Sequence, residues 1–157
     1  MNWEAIGAIG EFGGAFAVVV SLVYLASQIR AQNREARGAS VHEISGAFRD
    51  AISSLQGPEQ AEVFSTAVKS FDALTDIQRL QFFSIIQKIL RVWEEAFYQY
   101  TEGRLDERIW HAIRIQCSDL IAIDAARTVW ELRKHAYSAD FRSFVDSIEG
   151  GEYRLEF

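Results

Sequence analysis

Proline and cysteine each occur once in this chain of 157 residues, and histidine three times. With Pro58 the only proline, long stretches lack the residue that breaks helices most strongly. A lone cysteine, Cys117, excludes an intramolecular disulfide. His42, His111 and His135 form neither HExxH nor a Cys–His ligand spacing, so no metal site is expected. Base is in deficit: 16 Lys and Arg stand against 22 Asp and Glu, a net charge of −6, which argues against a general nucleic-acid binder. There is no phosphate-binding loop, and the glycines of GAIGEFGG lack the preceding strand that a dinucleotide fold requires. Glu94 and Glu95 are neighbours in sequence, so on a helix they point to different parts of its surface rather than converging as an acid–base pair. No internal repeat, low-complexity tract or extended strand-like alternation occurs. Neither an enzyme nor a bound cofactor is expected.

What the chain does have is one long apolar run. Residues 5–29, AIGAIGEFGGAFAVVVSLVYLASQI, contain no Lys, Arg, Asp or Pro. As a helix they reach roughly 37 Å at about 1.5 Å per residue, against a hydrocarbon core about 30 Å thick. They are expected to form a transmembrane helix. A cleaved signal peptide is not expected, because no base precedes the run, Glu4 and Glu11 interrupt its start, and its length exceeds an ordinary signal core. Arg30, Arg34 and Arg37 crowd the far flank, where they can meet anionic lipid headgroups, and the near flank has no base. The positive-inside rule then puts residues 30–157 in the cytoplasm as a helical domain behind a single span of a bacterial inner membrane.

The fold class expected is all-α: one N-terminal transmembrane helix continuing into a cytoplasmic bundle of about five helices. Val41, Ile44, Phe48, Ile52 and Leu55 recur at steps of three and four, the amphipathic period, and are predicted to face the bundle. Gln56-Gly57-Pro58 is the first firm stop, with Pro58 opening a helix to about Ser70. Thr75 and Gln78 form a capping box ahead of a wide apolar face from Leu80 to Tyr100, the predicted central helix, which Gly103 ends. Asp106 caps a helix to about Ala122, Asp124 one to about Tyr137, and Ser138 one to Ile148. Gly150-Gly151 releases a tail, EYRLEF. The aromatics of RVWEEAFYQY, with Trp110 and Trp130, read as core, with Arg91 or Glu94 satisfying a Tyr hydroxyl or Trp N–H.

At about 100° per residue, Gly7, Gly10, Ala17, Ser21 and Gln28 lie within about 60° of Gly14, with Glu11 at the edge of that arc. Ile9, Phe12, Phe16, Val19, Val20 and Val23 take the opposite side. Helices associate in lipid through small residues that let backbones approach, so this stripe is the expected packing or pore-lining face, and self-association is expected. An ionisable group inside a span is costly and commonly functional, which singles out Glu11. Carried onward, the same side bears Glu35, Glu43 and Asp50, an acidic inner face able to gather cations around a shared axis.

The segments NWEAIGAIGEFGGAFAVVVSLVYLASQIR, RVWEEAFYQYTEGRLDERIW and FRSFVDSI resemble a group of small uncharacterised bacterial membrane proteins with one N-terminal span. The resemblance implies a membrane span with the glutamate in its N-terminal motif, and no substrate. Two functions follow as expectations. One is a homo-oligomer conducting cations or protons past Glu11; the other is a membrane-anchored scaffold or regulatory module binding a cytoplasmic protein partner. Topology is open to direct test: a reporter fused at Phe157 should be active in the cytoplasm, and a periplasmic signal would reverse the orientation.

Overall fold

The computed structural model describes the backbone of residues 3–148 and the side chains of residues 14–148. Those residues form six α-helices and two 3₁₀ turns, with no strand. Helix α1 runs without interruption over Trp3–Ser53, as the absence of proline allows, and Gly38 and Gly46 do not break it. Among the described residues it is the one helix long and apolar enough to cross a membrane. The chain divides into two compact units at Gly38.

In the first unit, nearly every described side chain from Gly14 to Gly38 is exposed, Ala26 being intermediate. Phe16, Val19, Leu22 and Val23 each leave more than half their surface uncovered. Side chains 3–13, and therefore those of Gly7, Gly10 and Glu11, lie outside the described residues, as does the tail from residue 149.

The second unit is a bundle whose middle is α3 (Asp76–Thr101), packed against α2 (Pro58–Lys69), α4 (Glu107–Ile121), α5 (Asp124–Arg133) and α6 (Ala139–Asp146). Its helix ends are written in local chemistry. Pro58 occupies the first turn of α2, where its missing N–H is no loss. Thr75 Oγ1 accepts the Gln78 N–H at 3.3 Å while Gln78 Oε1 accepts the Thr75 N–H at 3.0 Å, a complete capping box at the start of α3. At its end Gly103 adopts φ +69°, the left-handed conformation that glycine takes without steric cost. The Arg104 N–H then reaches the Gln99 carbonyl at 2.8 Å and the Gly103 N–H the Tyr100 carbonyl at 2.9 Å, a Schellman closure. Asp106 Oδ1 accepts the Arg108 N–H at 2.9 Å to open α4, and Ser138 opens α6.

Two expected boundaries shift. The N-cap of α5 is Ile123, with Asp124 in the first turn, where its charge favours the positive helix end. The same helix stops at Arg133 and tightens into a 3₁₀ turn over Lys134–Ala136, so it does not run to Tyr137. A second 3₁₀ turn covers Phe71–Ala73 before the capping box.

Within Ala39–Ser53, the end of α1 buries Ile44 and Ala51 and half-buries Val41, Ala47 and Phe48. Ile52, expected on this face, is 43% exposed, because Ala51, about 100° around the helix, takes the inward position. The core centres on Phe82, Ile86, Leu90 and Trp130, all fully buried. An aromatic seam ties α3, α4 and α6: Phe97 stacks on Phe144 at 5.2 Å and meets Trp110 and Phe141 at 5.7 Å each. Replacing Phe82 with Ala should cost about 3–5 kcal/mol of bundle stability through lost burial and an unfilled cavity. Ile77→Ala, on an exposed first turn, should change it by no more than about 0.5 kcal/mol. Urea denaturation of the full chain in detergent, followed by tryptophan emission, would distinguish the two.

Candidate functional site

In the first unit, the described members of the small stripe are Gly14, Ala17, Ser21 and Gln28, all on the surface of α1. A Cβ added at Gly14 meets nothing within 4 Å, so the backbone there is open to close approach. The polar groups of this stretch bond within their own helix. Ser21 Oγ donates to the Ala17 carbonyl at 2.8 Å, Ser27 Oγ to the Tyr24 carbonyl at 2.7 Å, and Gln28 Nε2 to the Tyr24 hydroxyl at 2.8 Å. Just beyond, Arg30, Asn33, Arg34 and Arg37 line one shallow concavity, a suitable cradle for an anionic group. All three guanidinium groups are on exposed residues with no acid within salt-bridge distance among the described residues.

The acids differ from one another. Glu35, in the first unit, and Glu43, in the second, are exposed. Asp50 is engaged: its carboxylate lies 2.7 Å from Lys88 Nζ of α3, and the same ammonium donates to the Asp50 carbonyl at 3.1 Å. Lys88 thus offsets one of the three charges assigned to the inner face, a partner 38 residues away that local periodicity does not reveal.

Elsewhere in the bundle, polar side chains hold the structure together. Glu94 Oε2 pairs with Arg91 at 2.6 Å, and Glu94 Oε1 accepts the backbone N–H of Ser138 at 2.7 Å. Arg91 also donates to the Ala136 carbonyl at 3.0 Å and lies over the Tyr137 ring at 4.2 Å, clamping the entry to α6 onto α3. The expected service to a Tyr hydroxyl or Trp N–H is therefore not what Arg91 and Glu94 perform. The Tyr137 hydroxyl and Trp93 Nε1 have no hydrogen-bond partner, whereas Trp130 Nε1 donates to Asp146 at 2.8 Å. Burial raises the Tyr137 pKa, against the opposing influence of Arg91. Glu94 and Glu95 do not converge, since Glu95 takes a separate bond from Gln99 at 3.4 Å. Among the described residues no three His, Cys, Asp or Glu gather in a metal-binding arrangement.

One feature escaped the linear reading. An apolar groove of about 290 Å³ opens between the end of α1, α2, α3 and α4. Phe48, Ile52, Leu55, Phe64, Ile89, Trp93 and Leu120 line it, with Gln116 and Asp119 as its polar members. The signal lay in the surplus of apolar residues at the end of α1: Ile52 is left for the groove once Ala51 takes the core. Protein-family models, curated proteins and solved structures yield no match to the chain.

Cys117 is fully buried, and burial pushes its thiol pKa up to about 12. Because the thiolate is the reactive form, thiol reagents at pH 8 should label native protein at least tenfold more slowly than urea-unfolded protein. The unfolded chain releases this proton near pH 9 while the folded one retains it to about 12, so Cys117 makes stability fall as pH rises through that interval. Denaturation midpoints across pH 8–11, compared with Cys117→Ala, would expose the contribution.

Proposed function

We propose that the chain is a single-span inner-membrane protein that self-associates through α1 and works through its helical bundle at the cytoplasmic face. The observation that carries this is the uncovered apolar surface of α1 from Gly14 to Ile29, followed by the arginine cradle. Water leaves such side chains at a cost of about 25 cal/mol per Å² relative to an apolar surrounding, and lipid removes that cost. Arg30, Arg34 and Arg37 hold anionic headgroups, while Gly14 and the rest of the small stripe set helix against helix. Within this frame we favour a membrane-anchored interaction module, because Lys88 engages Asp50 and the bundle carries an apolar groove. Passage of cations or protons is the second reading. It is supported by the exposed carboxylates Glu35 and Glu43, with Glu11 upstream in the span sequence.

Stoichiometry and flux of purified protein in liposomes separate the two. Gly10→Leu or Gly14→Leu should lower association at least tenfold, whereas Val19→Leu should leave it nearly unchanged; equal effects would remove the stripe as the interface. An anchored module gives no cation flux above empty liposomes. A conducting assembly of about five or more copies, with selectivity altered by Glu11→Gln, would overturn the module reading in favour of the pore.

A further inference from the structure

The apolar groove of the bundle needs an occupant that is largely apolar yet carries a base. Its lining leaves Ile52 43% exposed beside Phe48, Phe64 and Leu120. Asp119, at its polar side, has no salt-bridge partner among the described residues, and the buried indole N–H of Trp93 has no acceptor. A hydrocarbon chain would satisfy neither polar group. A peptide can supply a carbonyl oxygen to one and a guanidinium to the other.

We propose that the chain's own C-terminal segment, Tyr153-Arg154-Leu155-Glu156-Phe157, seats in this groove, with Tyr153, Leu155 and Phe157 against its apolar lining and Arg154 at Asp119. In an extended segment residues two apart share a side, so the three apolar residues face the groove together. Reach permits it. Ile148 lies beside α4, lining a cavity with Arg114, Ile115 and Ser118. Gln116, Asp119 and Leu120 turn the other flank of the same helix to the groove. The five steps from Ile148 to Tyr153 cover up to about 16 Å, more than the diameter of a helix, about 10–12 Å. Gly150 and Gly151 fall within that crossing and permit backbone turns that other residues resist. Occupied in this way, the groove is closed by an internal ligand that an external apolar–basic peptide must displace. The inference stands apart from the span's function, and its test reads the same whether or not α1 assembles.

The test places Cys at Gln116 in the full chain in detergent, and a second Cys in turn at Tyr153, Leu155 and Phe157. Cys117 can remain, since its buried thiol stays protonated at working pH. Mild oxidation should give an intrachain disulfide with at least one tail position, found by peptide mass spectrometry, at tenfold or more the yield of a control pairing the tail with Leu132→Cys. Adding Asp119→Arg should reduce the yield several-fold. Yields at all three tail positions no higher than the control, disulfides joining two chains, or a yield indifferent to Asp119→Arg would each overturn the proposal.

Discussion

A helix satisfies its own backbone hydrogen bonds except at its last turns, and that self-sufficiency is the constraint on which the rest of this structure depends. It lets α1 run from Trp3 to Ser53 with bulky apolar side chains on a surface that no other described element covers. A strand in the same position would present unpaired amides and carbonyls along its edges. The sequence meets the condition simply, by withholding proline until Pro58. From that residue on, the chain changes strategy: helices become short, each is opened or closed by a local signal, and stability passes from the single helix to packing between helices.

Packing in the bundle is organised by α3, which supplies residues to both buried clusters. Phe97 packs against each cluster, and its ring contacts with Trp110, Phe141 and Phe144 join helices that are distant in sequence. Offset and edge-on ring pairs of this kind contribute roughly 0.5–1.5 kcal/mol each beyond their buried area. The Arg91–Glu94 clamp complements them from the surface. It catches the backbone at Ala136 and Ser138, where the chain leaves one helix and enters the next.

Legibility followed the range of the interaction. Pro58, the Thr75–Gln78 box, Gly103, Asp106 and Ser138 act within a few residues, and each marks the boundary it was expected to mark. The start of α5 was harder, because Ile123 caps it through backbone geometry alone, with no side-chain bond. The exchange of Ile52 for Ala51 depends on how closely α1 approaches its neighbours, which a periodic pattern locates only to about one residue. The groove and the Asp50–Lys88 pair need elements tens of residues apart to meet, and no linear pattern encodes that meeting. Roles for Gly7, Gly10 and Glu11 rest on sequence alone, since their side chains fall outside the described residues.

The back-bonds of Ser21, Ser27 and Gln28 bear on the order of events in assembly. Each places its polar hydrogens on an acceptor within its own helix. A hydroxyl already bonded to a carbonyl one turn earlier enters hydrocarbon with most of its desolvation cost removed. A lone helix is therefore competent to insert before any partner arrives, and later contact between copies has to break none of these bonds. Association then becomes a question of shape, with glycines and alanines setting the distance of approach and polar groups free to exchange acceptors once two helices touch.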